Sequence, residues 1–252
     1  MSAEAETEGT WRTGLDTLVR WAGAATGLVV NALVSFSPEP DVDVLYGFPV
    51  FGLCVMAGVF TADLIARPSR GRPRVAQVRP RRIRDYLPQP LTTALAAQAV
   101  VLVTLLSIAA TTASADADGR SGRALSVACP AGAQLLTPWP GPYYAWPTIG
   151  GLALGTLACA LLLRRITARS GSDDQRRLRV RAAIGAWGVL VTAPLFAVSL
   201  TMTIAVLSLS CAGGMKATAL GALAVTVLIS AVTACHCLGV LLLPQAYVKE
   251  RP

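Results

Sequence analysis

Charge is scarce in this chain: 14% of its 252 residues are charged, where a soluble domain carries about a quarter. Histidine occurs once, lysine twice, and aromatic residues make up 6%. So little charge excludes a disordered chain, a coiled coil and an ordinary cytosolic enzyme. A histidine-based hydrolase would have to use His236, which has no orienting acid near it in sequence. No Gly-rich phosphate loop, no G-x-S-x-G and no pair of intramembrane carboxylates is present either. No catalytic residue, metal or cofactor is expected. What is abundant is apolar: 54% of residues are hydrophobic and mean hydropathy is +0.56.

A helix of about 20 apolar residues crosses the roughly 30 Å hydrocarbon layer. Residues 44–66, 91–113, 182–209 and 218–243 qualify, and 146–163 is just long enough. Pro147 suits a first helical position there, because its missing N–H would be unpaired anyway. Residues 21–36 are shorter and contain Asn31. They read as a retained sixth span or as an interfacial helix. A cleaved signal peptide fits poorly, since Glu4, Glu6 and Glu8 precede the run and no small-residue cleavage site follows it. The expected fold class is all-α, a polytopic bundle of six spans (five if the first stretch is interfacial). One transmembrane domain, 21–243, stands between an N-terminal segment 1–20 and a tail 244–252.

Short basic loops stay on the cytoplasmic side. The loop 67–90 holds eight arginines and the loop 164–181 holds seven. With six spans, 19 of the 22 basic residues share one side, and both termini are cytoplasmic. The net charge of +8 is therefore topogenic, not a nucleic-acid footprint. Anionic lipid headgroups are the expected partners of Arg79, Arg81, Arg82, Arg84, Arg176, Arg177 and Arg179. The localisation that follows is the cytoplasmic membrane.

Spans associate through small residues and polar contacts. Gly23 and Gly27, Gly151 and Gly155 with Cys159, and Ala182 with Ala186 form such stripes. They read as packing within one subunit, with dimerisation as the alternative. Pro49 and Pro194 lie inside spans and should kink them.

Cys129 and Cys211 fall in loops on the non-cytoplasmic, oxidising side and are expected to form a disulfide. Cys54, Cys159, Cys235 and Cys237 fall inside spans. The external loop 114–145 ends in Pro-Trp-Pro-Gly-Pro-Tyr-Tyr at 138–144. Its prolines stop regular structure. Trp139, Tyr143, Tyr144 and Trp146 read as an interfacial anchor, or as a rigid platform for an external partner. Within the membrane, Asp63, Gln98, Cys159 and His236 fall at similar depth in the cytoplasmic half. They are expected as a small polar cluster in which Asp63 accepts a hydrogen bond from His236. Cys235-His236-Cys237 is no metal motif, because alternate residues on a helix point about 200° apart.

The bias of 20 arginines against 2 lysines looks like that of a high-GC actinobacterial genome. The run LYGFPVFGLCVMAG in 45–67, RPRRIRDYLP at 79–88, PWPGPYY at 138–144, Cys129 and Cys211 resemble a family of uncharacterised actinobacterial multi-pass membrane proteins. The resemblance implies the same topology and weight for the loop cysteines, and no activity. The expected function is a non-enzymatic structural or accessory membrane subunit with a membrane or extracytoplasmic protein partner. The alternative is a permease subunit of an ATP-driven transporter, which would meet its ATPase at 85–88 through Tyr86 and Leu87.

Overall fold

Long runs without charge become helices because, in hydrocarbon, each N–H and C=O has to be satisfied within its own segment. The computed structural model describes residues 2–35, 40–65, 86–130, 132–168, 173–211 and 214–242. Among them stand helices α1 (Ser2–Ser35), α2 (Pro40–Ile65), α3 (Gln89–Thr112), α4 (Pro142–Ala168), α5 (Asp173–Ser208) and α6 (Gly214–Leu242). Strands β1 (Ala113–Ser114), β2 (Ala124–Cys129) and β3 (Gly132–Leu136) lie between α3 and α4. Five of the helices, α2 to α6, are long and apolar enough to cross a membrane. Arg79, Arg81, Arg82 and Arg84, most of the loop 67–90 and the tail 244–252 lie outside the described residues.

Helix α5 is the hub, touching α2, α3, α4 and α6. One apolar core at its first half joins Val55, Val59, Leu162, Ile166, Val180 and Leu241. A second at its other half joins Leu102, Leu106, Leu195, Val198 and Met202. The small-residue stripes pack inside the subunit. A Cβ on Gly23 of α1 would stand 2.8 Å from the Gly58 Cα of α2, so these two backbones touch. Gly52 of α2 meets α5 in the same way, 2.7 Å from the Leu190 Cα. Gly52→Leu is therefore expected to push α2 off α5 and to destabilise by about 1–3 kcal/mol. Thermal unfolding in detergent checks this; an unshifted midpoint would mean that the two backbones do not meet there.

Hydroxyls on the outer faces turn back onto their own helices. Thr104 donates to the Val100 carbonyl at 2.9 Å, Ser107 to Val103 at 2.8 Å and Thr226 to Ala222 at 2.8 Å. Each hydroxyl is thereby satisfied without water.

Two expectations change. Helix α4 begins at Pro142, not near Pro147, and Pro147 lies inside it. Pro147 has no N–H to offer the Tyr143 carbonyl four residues back, and that carbonyl instead accepts a hydrogen bond from the Tyr46 hydroxyl at 2.8 Å. A neighbouring helix has thus replaced the missing donor. The loop between α3 and α4 also carries a sheet, which the all-α reading did not include. Its strands pair antiparallel in the order β1-β2-β3, with Val127 opposite Gln134 and Cys129 opposite Gly132.

Candidate functional site

Among the described residues, one polar cluster stands at each end of the bundle. At the end of the bundle where α3 gives way to α4 the sheet forms a cap. The Asp116 carboxylate accepts the N–H groups of Asp118 (3.0 Å) and Arg120 (2.8 Å), which turns the chain after β1. Gly119 and Gly122, with φ of +78° and +81°, complete that turn where a Cβ would be strained. Cys129 at the end of β2 stands at disulfide distance from Cys211 after α5, Cα to Cα 5.6 Å. Beside them Gln134 of β3 donates to the Ser210 hydroxyl and accepts the Ser210 N–H at 3.3 Å. Lys216 of α6 donates to the carbonyls of Leu207 and Leu209 and so braces the same turn.

Under the cap runs the 138–144 segment, and it faces inward. Trp139 is only 3% exposed. Its indole N–H donates to the Ala109 carbonyl at 3.0 Å, at the end of α3. Its backbone N–H donates to the Arg123 carbonyl at 2.9 Å. Tyr144 is buried in the same core. Tyr46, Tyr143 and Tyr144 pack with ring centroids 5.2 to 5.4 Å apart, and the Arg123 guanidinium covers Tyr143 at 3.8 Å. Of the four aromatics expected as a platform, only Trp146 points outward, 73% exposed. The physical reason is the indole N–H. It finds a buried carbonyl in the last turn of α3, which accepts it as an additional donor.

At the other end Asp63 is buried, and its partners are arginines. Arg165 Nε of α4 lies 3.5 Å and Arg179 Nη1 of α5 lies 3.6 Å from its carboxylate. A small cavity beside it is lined by Asp16, Arg20, Asp63 and Arg179 over an apolar floor of Val59, Leu162, Ile166 and Ala182. Arg20 pairs with Asp16 at 3.2 Å. Burial pulls the Arg20 guanidinium below its ordinary value, Asp16 pushes it back up, and Arg179 lowers it again.

Asp63, Gln98, Cys159 and His236 do not line one cavity. Gln98 donates to the Thr233 hydroxyl at 3.1 Å. Cys159 points its thiol at the Ala183 carbonyl, 3.7 Å away. His236 is exposed on α6. That helix meets α5 through Cys237 at Gly185 and Gly188, whereas the Asp63 cavity touches α5 at Arg179 and Ala182. The two residues thus belong to different faces of α5.

The expected lipid-facing arginines divide too. Arg176 is buried against Asp173 at 3.1 Å. Arg179 is held by Asp63, and Arg177 remains exposed. The i,i+3 spacing of Asp173 and Arg176, and the i,i+4 spacing of Asp16 and Arg20, are the sequence signals for these pairs. Among the described residues no group of three or more His, Cys, Asp or Glu side chains is placed to hold a metal ion.

Reduction should open the cap without unfolding the bundle, because Cys129 and Cys211 join elements that the helices already hold. Cys211→Ser is expected to shift non-reducing gel mobility and to speed amide exchange in β2 and β3. The loss should stay below the roughly 4.5 kcal/mol that an 82-residue separation would suggest for a free chain. Identical mobility with and without reductant would show that the thiols are free.

Comparison with protein-family models, with curated proteins and with solved structures finds no match for this chain.

Proposed function

We propose that the protein is a non-enzymatic structural or accessory subunit of a cytoplasmic-membrane complex. In this reading six helices span, both termini are cytoplasmic, and the disulfide-stapled cap faces outward. Helix α1 is the sixth span. Its support is the close run of α1 along α2, from Gly27 against Phe51, through Gly23 against Gly58, to Arg20 and Asp63 on one cavity. A helix packed lengthwise on a spanning helix shares its depth, whereas an interfacial helix would cross it. The arginine asymmetry supports the orientation.

The observation that carries the functional reading is how the polar groups are used. Asp63 ties α2 to α4 and α5, Gln98 ties α3 to α6, and Trp139 ties the external segment to α3. These are bonds that fix a shape. Tyr86 and Leu87, the pair that would face an ATPase in a permease, are engaged internally. The Tyr86 hydroxyl donates to Asp173 at 3.1 Å, and Leu87 packs on the core.

Gentle solubilisation followed by native electrophoresis and mass spectrometry tests this reading. The expected result is a species well above the 26.2 kDa chain, containing a stoichiometric membrane or extracytoplasmic partner. Recovery as a lone chain, or with an ATPase, would overturn it.

A further inference from the structure

We propose that a single water molecule is bound where α1, α2, α4 and α5 meet, as a fixed ligand that accepts from Arg20 Nε and donates to the Asp63 carboxylate. The inference does not rest on the accessory-subunit reading.

Size selects the ligand first. The cavity there offers about 10 Å³ to the centre of a water molecule, which is room for one water and for nothing larger. Polarity selects it next. Asp16 and Arg20 of α1, Asp63 of α2 and Arg179 of α5 all line the space. Cavities of this size stay dry when their walls are apolar, and hold a water when several polar groups converge on them.

Arg20 supplies the need for an acceptor. The residue is only 9% exposed. Its Nη2 donates to Asp16 at 3.2 Å, while its Nε is buried with no hydrogen-bond partner. A buried, unbonded N–H of a charged group is costly, and a water oxygen accepts from it. The backbones of α1 and α2 already touch one turn further on, at Gly23 and Gly58. Helix α1 therefore cannot move inward to bring Arg20 onto Asp63 directly.

Asp63 supplies the acceptor for the water itself. A carboxylate accepts at about four sites. Arg165 and Arg179 stand 3.5 and 3.6 Å away, beyond the roughly 2.7–2.9 Å of a good charge-assisted hydrogen bond. That leaves capacity for a water O–H, and Asp16 on the same wall is a second acceptor. A cation would face Arg20 and Arg179 here, and an oxyanion would meet two carboxylates in too small a space. Water is neutral and serves a donor and an acceptor together, so it joins α1 to its neighbours nearly as well as a direct hydrogen bond would.

X-ray hydroxyl-radical footprinting of the full chain in detergent tests the site with water itself as the probe. Radicals formed from a bound water oxidise the side chains beside it, however deeply these are buried. Leu162 and Ile166 line the cavity and are 0% and 2% exposed. Leu95 and Leu241 belong to the same core, are 0% and 2% exposed, and do not line it. Several-fold faster oxidation of Leu162 and Ile166 than of Leu95 and Leu241 is expected. Equal rates at all four, whether from a dry cavity or from opening of the whole bundle end, would overturn the site. Val59→Ile adds one methylene on the cavity wall, about the volume of one water. In the folded variant Leu162 and Ile166 should fall to the rates of Leu95 and Leu241. Arg20→Met keeps much of the stem and removes the donor, so it should slow the same two residues. Undiminished oxidation in either variant, unfolding as a bundle with the parent's cooperativity, would contradict a water held by Arg20 at this place. Should neither variant fold, the comparison of the four residues in the parent chain still decides.

Discussion

Asp63→Ala is expected to lower the stability of the bundle by about 3–5 kcal/mol, the range for removing one member of a buried ion pair. The carboxylate is buried where α2, α4 and α5 meet, with Arg20 of α1 on the same cavity. Its removal takes away the carboxylate that Arg165 and Arg179 share, beside the Arg20–Asp16 pair. The reciprocal change is milder. Arg165 is 43% exposed, so water screens its charge, and Arg165→Gln should cost about 1 kcal/mol or less. His236→Ala should cost far less than Asp63→Ala, since His236 lies exposed on a helix that meets another face of α5. Thermal unfolding in a single detergent compares all three. Equal losses for Asp63→Ala and His236→Ala would restore the histidine pairing and remove the arginine one.

Trp139→Ala should be as damaging, by roughly 3–5 kcal/mol, because it empties a large site in a close-packed core. Trp139 shares that core with Leu102, Leu106, Leu195 and Val198. Trp139→Phe separates the two contributions. It keeps most of the volume and loses the indole hydrogen bond to the Ala109 carbonyl, so about 1 kcal/mol should be lost. A Trp139→Ala protein as stable as the parent would mean that Trp139 lies on the surface, as an external platform would require.

These two residues also show where sequence reasoning reaches and where it stops. The five helices long and apolar enough to span were legible because span length is a local property, set by bilayer thickness. The Cys129–Cys211 pairing was legible because counting spans puts both thiols on one side. The partner of Asp63 was not, because it depends on which helices neighbour α2. Those are α1, α4 and α5, and nothing in the chain order announces that. The direction of Trp139 was hidden for a related reason. A proline-flanked tryptophan suits an interface by composition, and only the position of the Ala109 carbonyl turns it inward. The cap sheet was missed because its strands are short and owe their pairing to residues across the hairpin, such as Leu125 with Leu136. The turn-forming Pro130 and Gly132 between two short apolar runs were its available signals. Arg176 and Arg179 were read from charge density alone, which does not tell a guanidinium facing lipid from one facing Asp173 or Asp63.

The account stands on one arrangement: cap outside, arginine-rich end inside. Single cysteines at residues 8, 117 and 164, in a chain with Cys54, Cys159, Cys235 and Cys237 replaced by alanine, test it with a membrane-impermeant maleimide on intact cells. Ala117→Cys, in the exposed turn after β1, should react at once. Glu8→Cys and Arg164→Cys should react only after the membrane is opened. Labelling of residue 164 in intact cells, with residue 117 protected, would invert the protein and put the Cys129–Cys211 pair in a reducing compartment, contradicting the account at its root.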